Sequence, residues 1–368
     1  MKFIVNRATL KREVGILLAI LDPKPAVPAH GYILFEAEGG PLSLAATNGA
    51  EHLSTGLGTE VQERGSACLP ARTLAEILRA VEGEEVEISA SGPSARLKCG
   101  GARFKLNCAE IDAFPPTPIL EKVDAAFPAR ELLTLISVTA FAATTVEAKY
   151  CLNGAQLRLD STGGKMVATD GHRMALAESP EVRSEAKLSL LLPKAALVAA
   201  AKVLKSVEGE AELAATDNRI FLRAGARLLA TTQMDGRYPN VAPFFAATYP
   251  RAVRLEAGPF EEAVFRAALC SEQADDTHQV AFDFKPGEVI LAASDCGGGE
   301  AQESLEAAGD AGDGLTIRLD PRYLLDYLRV AGAEEVEFKF TDASSQVEFC
   351  PAGRSPTVSR YIVMPRRA

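Results

Sequence analysis

Residues 192–204 read LPKAALVAAAKVL, a proline followed by an apolar stretch long enough for about three helical turns. A short connection leads to GEAELAA (209–215), an acidic patch followed by alternating apolar and polar residues. Proline fits the first helical turn, where its missing N–H would have no partner, so the first stretch predicts a helix. The alternation in the second predicts a strand. Together the two stretches form a helix–strand unit.

This helix–strand unit occurs three times in the chain. LPARTLAEILRAV (69–81) precedes GEEVEIS (83–89), and LDPRYLLDYLRVA (319–331) precedes AEEVEFK (333–339). The unit prolines are Pro70, Pro193 and Pro321, spaced 123 and 128 positions apart. In the first copy the apolar residues fall at i, i+3, i+4 and i+7, one face of a helix: Leu74, Ile77, Leu78 and Val81.

Each copy is also predicted to contain an earlier amphipathic helix and short strands. These helices are expected from Arg7 to Leu21, from about Ala129 and from Pro259, with glycine- and asparagine-rich turns between the strands that follow. A period near 125 is too long for a solenoid repeat, whose units cannot bury a core alone. The sequence therefore predicts an α+β protein of three similar tandem domains, 1–122, 123–250 and 251–368, each with two helices on antiparallel sheet.

Composition excludes several classes of protein. The 368 residues carry 39 basic and 49 acidic side chains, a net charge of −10, and 47% are hydrophobic, which excludes wholesale disorder. No apolar run approaches the ~20 residues of a membrane span. The N-terminal MKFIVNRATLKRE returns to charge after three apolar residues, unlike a secretory signal. We therefore expect a cytoplasmic protein.

Neither a metal site nor a cofactor is predicted. The seven cysteines contain no CxxC pair, and the four histidines are not spaced for a metal. Gly297-Gly298-Gly299 is followed by no Lys-Ser/Thr and is interpreted as a loop. Glu84-Glu85 and Glu334-Glu335 lack the geometry of a calcium loop and are interpreted as solvated strand starts.

Thr169-Asp170-Gly171-His172-Arg173 is the one candidate for catalysis. An aspartate and a histidine two residues apart are compatible with part of a hydrolytic triad. Asp-Gly is equally a hairpin-turn signal, and no GxSxG motif accompanies it. These residues favour a turn whose side chains form a binding surface over a catalytic site.

Basic residues recur on the predicted helices although the chain is acidic. Lys194, Lys202 and Lys205 fall within about a 100° sector of their helix. The other pairs on one face are Arg7 with Lys11, Arg72 with Arg79, and Arg322 with Arg329. An ordinary solvated face explains any one of these groups, but their recurrence indicates that cations are gathered on one surface. Such a surface would attract phosphates without reading sequence.

The ordered motifs resemble those of the bacterial DNA polymerase III beta subunit, the sliding clamp family, over essentially the full length. They are MKFIVNRATL at the start, AFPPTP at 113–118, YCLNG at 150–154, VATDGHRMA at 167–175, DGRYPNV at 235–241 and YIVMPRR at 361–367. The resemblance implies a non-catalytic processivity factor: a head-to-tail homodimer closed into a ring around double-stranded DNA. Its partners would be the polymerase III catalytic subunit, the clamp loader and other proteins with a clamp-binding motif.

The resemblance also implies three sets of site residues. A hydrophobic peptide groove would use Leu152, Thr169, Gly171, His172, Arg173, Met174, Pro239, Pro243, Phe244, Val363, Met364, Pro365 and Arg366. DNA would be contacted by Lys24, Arg72, Lys149, Tyr150, Lys194 and Lys202. The subunit joint would place Phe104 and Leu106 of one chain against Leu269 and Cys270 of the other.

Four departures from the family pattern are visible. Pro243 and Phe244 replace a basic and a small apolar residue, and Cys151 replaces an aromatic residue. The acidic loop expected near the joint is reduced to GGGEAQES, with only Glu300 and Glu303, and the C-terminus ends in Arg366-Arg367-Ala368. These departures are compatible with a divergent or secondary clamp. A scaffold protein that does not bind DNA and a hydrolase using Asp170 and His172 remain the alternatives.

Overall fold

The helices predicted from the repeat are present. A computed structural model describes residues 1–38, 40–144, 151–272, 277–312, 314–353 and 357–366. Its helices are α1 (Arg7–Leu17), α2 (Ala71–Ala80), α3 (Ala129–Ser137), α4 (Lys194–Leu204), α5 (Ala242–Phe245), α6 (Ala257–Ala268) and α7 (Pro321–Ala331). None of these helices is both long and apolar enough to cross a membrane.

The chain divides into two compact units. Unit 1 comprises Met1–Leu133, Arg183–Ala186 and Ala195–Met234, and unit 2 comprises Thr134–Val182, Lys187–Lys194 and Asp235–Ala368. The strand pairs of both units are antiparallel, as predicted. The three predicted domain boundaries stay a prediction.

Unit 1 contains a five-stranded and an eight-stranded sheet, in the orders β5-β1-β7-β8-β9 and β10-β15-β16-β17-β4-β3-β2-β6. The strands are β1 (Lys2–Asn6), β2 (Tyr32–Ala37), β3 (Leu42–Thr47), β4 (Glu51–Leu57), β5 (Glu60–Glu63), β6 (Gly65–Pro70), β7 (Glu85–Ser91), β8 (Ser94–Cys99), β9 (Ala102–Asn107), β10 (Ala125–Pro128), β15 (Glu210–Ala215), β16 (Arg219–Ala224) and β17 (Arg227–Thr232). Phe3 of β1 and Phe35 of β2 stack in its core, with ring centroids 6.0 Å apart.

Unit 2 contains a nine-stranded and a four-stranded sheet, in the orders β14-β11-β12-β13-β26-β25-β24-β18-β22 and β21-β20-β19-β23. The strands are β11 (Gly154–Asp160), β12 (Gly163–Thr169), β13 (Arg173–Ser179), β14 (Leu188–Pro193), β18 (Arg251–Glu256), β19 (Val280–Lys285), β20 (Glu288–Ser294), β21 (Glu300–Glu306), β22 (Ala308–Asp310), β23 (Leu315–Leu319), β24 (Glu335–Phe340), β25 (Val347–Pro351) and β26 (Val358–Val363). Aromatic side chains fill the core; the rings of Phe338 and Phe349 lie 4.4 Å apart.

One backbone contact confirms the threefold repeat. The first amide of α1, α3 and α6 donates to a carbonyl just before or at the start of the acidic strand of its copy. The pairs are Arg7 to Glu84 (2.7 Å), Ala129 to Gly209 (2.8 Å) and Ala257 to Glu334 (2.8 Å). Because each bond satisfies a donor that the helix leaves unpaired, the acidic stretch fixes where the helix begins.

The unit prolines were predicted to lie in the first turn of their helices, and only Pro321 does so. Pro321 is the first residue of α7, behind Asp320, whose carboxylate accepts from the Arg322 amide at 3.0 Å. Pro70 and Pro193 instead end strands β6 and β14, one residue before their helices. The restricted φ of proline suits this extended position as well as the first helical turn.

Two further predictions need correction. The first helix ends at Leu17 and not at Leu21, because Leu18 is its C-cap. Glu300 and Glu303 lie in strand β21 and not in a loop. Asp295, before that strand, accepts from the amides of Gly297 and Gly299 at 2.8 Å, so the three-glycine segment forms a hydrogen-bonded turn.

Candidate functional site

Two segments that contain predicted groove residues meet where β13 pairs with β26. Arg173 lies opposite Val363, and Met174 opposite Ile362. The Met364 amide then donates to the His172 carbonyl at 2.9 Å, which extends the pairing beyond the strand. Two segments almost 200 positions apart in the sequence are thus joined in one sheet.

The turn before β13 is fixed by hydrogen bonds of Thr169 and Asp170. The Thr169 hydroxyl donates to the Arg173 carbonyl at 2.6 Å and accepts from the Gly171 amide at 3.1 Å. One Asp170 oxygen accepts from the amides of His172 and Arg173, each at 3.0 Å. Gly171 has a φ of 93°, a left-handed conformation that favours glycine.

This geometry does not support the hydrolase alternative. The second Asp170 oxygen accepts from Arg173 Nε at 2.9 Å, so both carboxylate oxygens serve the turn and the arginine. The His172 side chain is exposed on the turn. An aspartate that orients a catalytic base would instead accept from the imidazole.

Arg173 is held from four directions and is only 9% exposed. Besides Asp170, its Nη1 donates to Asp326 at 2.7 Å and its Nη2 to the Phe141 carbonyl at 3.1 Å. Its guanidinium carbon lies 4.4 Å from the centroid of the Tyr323 ring. Buried charges are tolerated when they are paired and hydrogen-bonded in this way.

The C-terminal segment is anchored just past the predicted groove residues Val363 and Met364. The Arg366 amide donates to the Arg318 carbonyl at 2.8 Å, and its guanidinium donates to the buried Asp320 carboxylate at 2.9 Å. Burial acts to raise the pKa of Asp320, but hydrogen bonds from Arg322 and Arg366 outweigh it and lower the pKa. The anchor leaves Met364 41% exposed while Val363 is fully buried.

Pro243 and Phe244, which depart from the family pattern, lie in the short helix α5. Phe244 is 43% exposed, whereas its neighbour Phe245 is buried beneath the Arg360 guanidinium, 5.2 Å from the ring centroid. The Gln346 amide nitrogen donates to the Phe244 carbonyl at 2.8 Å and to the Tyr249 hydroxyl at 2.7 Å. Pro243 is exposed, Leu152 and Pro239 are half-buried, and Met174 is buried.

Cys151, the other departure at this end of unit 2, is turned toward the DGRYPNV segment. It has a φ of 56°, and its thiol donates to the Asp235 carbonyl at 3.1 Å. A Cβ on Gly236 would lie 2.6 Å from the Cys151 sulfur, so this close approach requires glycine.

Sequence reasoning missed Asp326, Tyr323, Phe141 and Gln346. Asp326 lies between Leu325 and Tyr327 in α7, where a charge is usually interpreted as solvent-facing. No local pattern places it beside Arg173, 153 positions away.

The predicted DNA-contacting residues differ in their surroundings. Lys24, Arg72 and Lys202 are exposed. Lys194 is half-buried and donates to the Ala143 carbonyl at 2.5 Å; burial, together with the Arg173 charge, lowers its pKa. Lys149 and Tyr150 lie outside the described residues.

Several other helix cations are engaged within the chain. Arg7 donates to the Gly83 and Leu78 carbonyls, at 2.6 and 3.3 Å, and so caps the end of α2. Arg322 binds Asp320 at 2.7 Å. Arg7 and Arg322 therefore make contacts within the chain, and the gathering of helix cations on one DNA-facing surface stays a prediction.

The residues predicted for the subunit joint lie at sheet edges and at the end of α6. Phe104 and Leu106 belong to β9, an edge strand of unit 1, and are half-buried and buried. Leu269, just after α6 in unit 2, is 70% exposed, and Cys270 is half-buried. Phe265, one turn earlier, is also exposed and was not predicted.

Among the described residues, no three His, Cys, Asp or Glu side chains cluster as metal ligands would. The carboxylates instead pair with arginines; Glu303, for example, accepts from Arg266 at 2.8 and 2.9 Å.

Comparison with known proteins identifies the family. Models of the N-terminal, central and C-terminal domains of the DNA polymerase III beta subunit match residues 1–118, 126–240 and 246–367. The beta sliding clamp of Caulobacter vibrioides is 30% identical over 380 residues, covering 100% of both chains. The chain belongs to the beta sliding clamp family.

Solved sliding clamps have the same fold. The clamp of Pseudomonas aeruginosa bound to griselimycin matches with a TM-score of 0.88 and 25% identity over 100% of both chains. The Caulobacter crescentus clamp, with polyethylene glycol bound to a region described as a beta-motif tethering region, matches with a TM-score of 0.86 and 27% identity, covering 100% of this chain and 99% of that one. The chain is therefore a processivity factor, a non-catalytic accessory subunit of DNA polymerase III, and neither a hydrolase nor a scaffold unrelated to DNA.

Proposed function

We propose that this sliding clamp closes head to tail with a second copy into a ring around duplex DNA and works in the cytoplasm. The threefold repeat, matched along the whole chain by the three family domains, carries the proposal. The domain boundaries 1–122, 123–250 and 251–368 belong to it. Exposed cations such as Lys24, Arg72 and Lys202 supply sequence-independent phosphate contacts, while the net charge of −10 keeps other surfaces from binding DNA.

The subunit joint is an edge-to-edge pairing of β9 with β21 of the second copy. Strand β9 exposes Arg103 and Lys105, and β21 exposes Glu300 and Glu306. Because the exposed charges of β9 are positive and those of β21 are negative, these two sheet edges should pair with each other and not with a second copy of the same edge. Phe104 and Leu106 would then meet Leu269 and Cys270.

The groove around Arg173 binds the clamp-binding motifs of the polymerase III catalytic subunit, the clamp loader and other replication and repair proteins. Exposed Met364 and Phe244 provide apolar surface, and the turn before Arg173 provides a backbone of fixed geometry. We place griselimycin, which binds the Pseudomonas clamp, in this groove.

Retention on DNA tests the ring. Clamp loaded onto closed circular DNA by a clamp loader is expected to stay bound through gel filtration, and cutting the circle once is expected to release it. Arg72→Glu with Lys202→Glu should reduce the loaded amount by about tenfold, because two phosphate contacts become repulsive. Lys285→Glu, an exposed lysine on β19, is the matched control. Equal retention on circular and cut DNA would contradict the ring.

His172→Ala tests the groove. The exposed imidazole is expected to contact bound peptide, so its loss should raise the dissociation constant of griselimycin about fivefold, the effect of a contact of about 1 kcal/mol. The fold should be unchanged, because the turn is held by Thr169 and Asp170. Isothermal calorimetry measures the affinity, and circular dichroism the fold. Unaltered affinity would remove His172 from the groove.

A further inference from the structure

The turn that supports the groove occurs a second time, in unit 1. The Thr47 hydroxyl donates to the Glu51 carbonyl at 2.8 Å and accepts from the Gly49 amide at 3.1 Å. The Asn48 side-chain oxygen accepts from the Ala50 and Glu51 amides at 3.0 and 2.7 Å. These bonds reproduce, one for one, those made by Thr169 and Asp170.

The sheet joint beside this second turn is the same too. Glu51 lies opposite Thr231 of β17, as Arg173 lies opposite Val363. The Thr232 amide donates to the Ala50 carbonyl at 3.1 Å, as Met364 donates to His172. The turn and its strand pairing are therefore a common scaffold of both units.

The arginine cluster is absent from this copy of the scaffold. Glu51 stands where Arg173 would be, and its carboxylate accepts from the Asn48 side chain at 2.5 Å. Aligning α4 with α7 on Pro193 and Pro321 places Ala195 where Tyr323 stands and Val198 where Asp326 stands. The turn of unit 1 therefore forms without a counterpart of Arg173 or of Asp326. We conclude that the contacts of Arg173 in unit 2 are not needed to form the turn.

We infer that Asp326 and Tyr323 are positioning residues that hold the Arg173 guanidinium as a fixed wall of the peptide groove. This inference rests on the proposed function of the groove. The bond to Asp326 is charge-assisted and sets the direction of Nη1, while the Tyr323 ring sets the plane of the guanidinium. A guanidinium that is already oriented loses little conformational freedom when peptide binds, and this raises the affinity.

Asp326→Asn tests the inference with griselimycin as the probe. The amide keeps the shape of the carboxylate and removes its charge, so the guanidinium is held less firmly at Nη1 and the dissociation constant should rise about tenfold. Asp326→Glu should recover most of the affinity, because it restores the charged acceptor. Glu334→Gln, which neutralises an exposed carboxylate elsewhere in unit 2, is the matched control and should bind as the unaltered chain does.

A double-mutant cycle separates positioning from general support of the fold. On an Arg173→Gln background, Asp326→Asn should weaken griselimycin binding less than twofold, because the side chain through which it acts is gone. A full tenfold loss on that background, or unaltered affinity in Asp326→Asn alone, would overturn the inference. Failure of the unaltered chain to bind griselimycin would instead reject the proposed groove.

Discussion

Replacing Glu13 with alanine is expected to lower the free energy of unfolding by about 3–5 kcal/mol, the usual effect of breaking a buried ion pair. Glu13 and Arg227 have side-chain exposures of 3% and 8%. Arg227 donates to both carboxylate oxygens of Glu13, at 2.8 and 2.7 Å. The alanine variant would leave a buried guanidinium without its counter-charge.

The surroundings of this pair explain why the effect should be large. Arg227 also donates to the Val203 carbonyl and the Ser206 hydroxyl, at 3.0 and 2.8 Å, and Thr55 donates to Glu13 at 3.1 Å. The pair thereby joins helix α1 to strand β17 and to the end of α4 within unit 1. Loss of the carboxylate disturbs all three elements at once.

The same pair predicts a dependence of stability on pH. Burial acts to raise the pKa of Glu13, but hydrogen bonds from Arg227 and Arg12 outweigh it, and the folded-state pKa lies below 4.5. A lowered carboxyl pKa stabilises the fold above the unfolded-state pKa, and this stability is lost as pH falls through the folded-state pKa. The unaltered chain should therefore lose this contribution only below about pH 4.5, and Glu13→Gln should lack that component.

Urea unfolding followed by circular dichroism measures both effects, at one fixed protein concentration because association shifts the midpoint. Glu262→Ala, which removes an exposed partner of Arg266, is the control and should change stability by less than about 1 kcal/mol. Glu13→Leu combined with Arg227→Met should restore much of the loss, since a hydrophobic pair needs no counter-charge. A loss below about 1 kcal/mol for Glu13→Ala would show that the pair does not stabilise unit 1.

Helices and strands were predictable from the sequence because their burial follows periods that local residues display. The buried face of α2 contains Leu74, Ile77 and Leu78, as the spacing indicates. The Thr169–Arg173 turn was likewise visible as a motif, because its hydrogen bonds join residues at most four positions apart. Hydrogen bonds between residues this close in the sequence can be predicted from the sequence itself.

The charged pairs that shape both units were not predictable. Glu13 and Arg227 lie 214 positions apart, and Arg173 and Asp326 lie 153 apart. Periodicity indicates which face of an element is buried but not which residue of another element it meets. A lone glutamate in α1 is therefore interpreted as solvent-facing until the structure places Arg227 beside it. Lys194 was predicted to contact DNA, and nothing in the sequence indicates that its side chain donates to the Ala143 carbonyl.

Leu269→Asp is expected to convert the dimer to a monomer. In the single chain Leu269 is 70% exposed and Phe265, one helical turn away, is 51% exposed. Exposed apolar side chains that form a continuous patch mark an interaction surface. Burying leucine in the joint contributes about 1.5–3 kcal/mol per contact, and a buried unpaired carboxylate costs more. The two joints of the proposed ring would contain the residue twice, so a rise of at least a thousandfold in the dissociation constant is expected.

Light scattering coupled to gel filtration measures this change as a shift from about twice 39.0 kDa to 39.0 kDa. Val358→Asp, the same kind of change at a residue 50% exposed on β26, is the matched control and should stay dimeric. Retention on circular DNA should fall with the dimer, because a monomer cannot enclose the duplex. A Leu269→Asp chain that remains dimeric at the same concentration would place the joint elsewhere. A Leu269→Asp chain that is monomeric yet retained on closed circular DNA would show that enclosure of the duplex is not what holds the clamp to DNA.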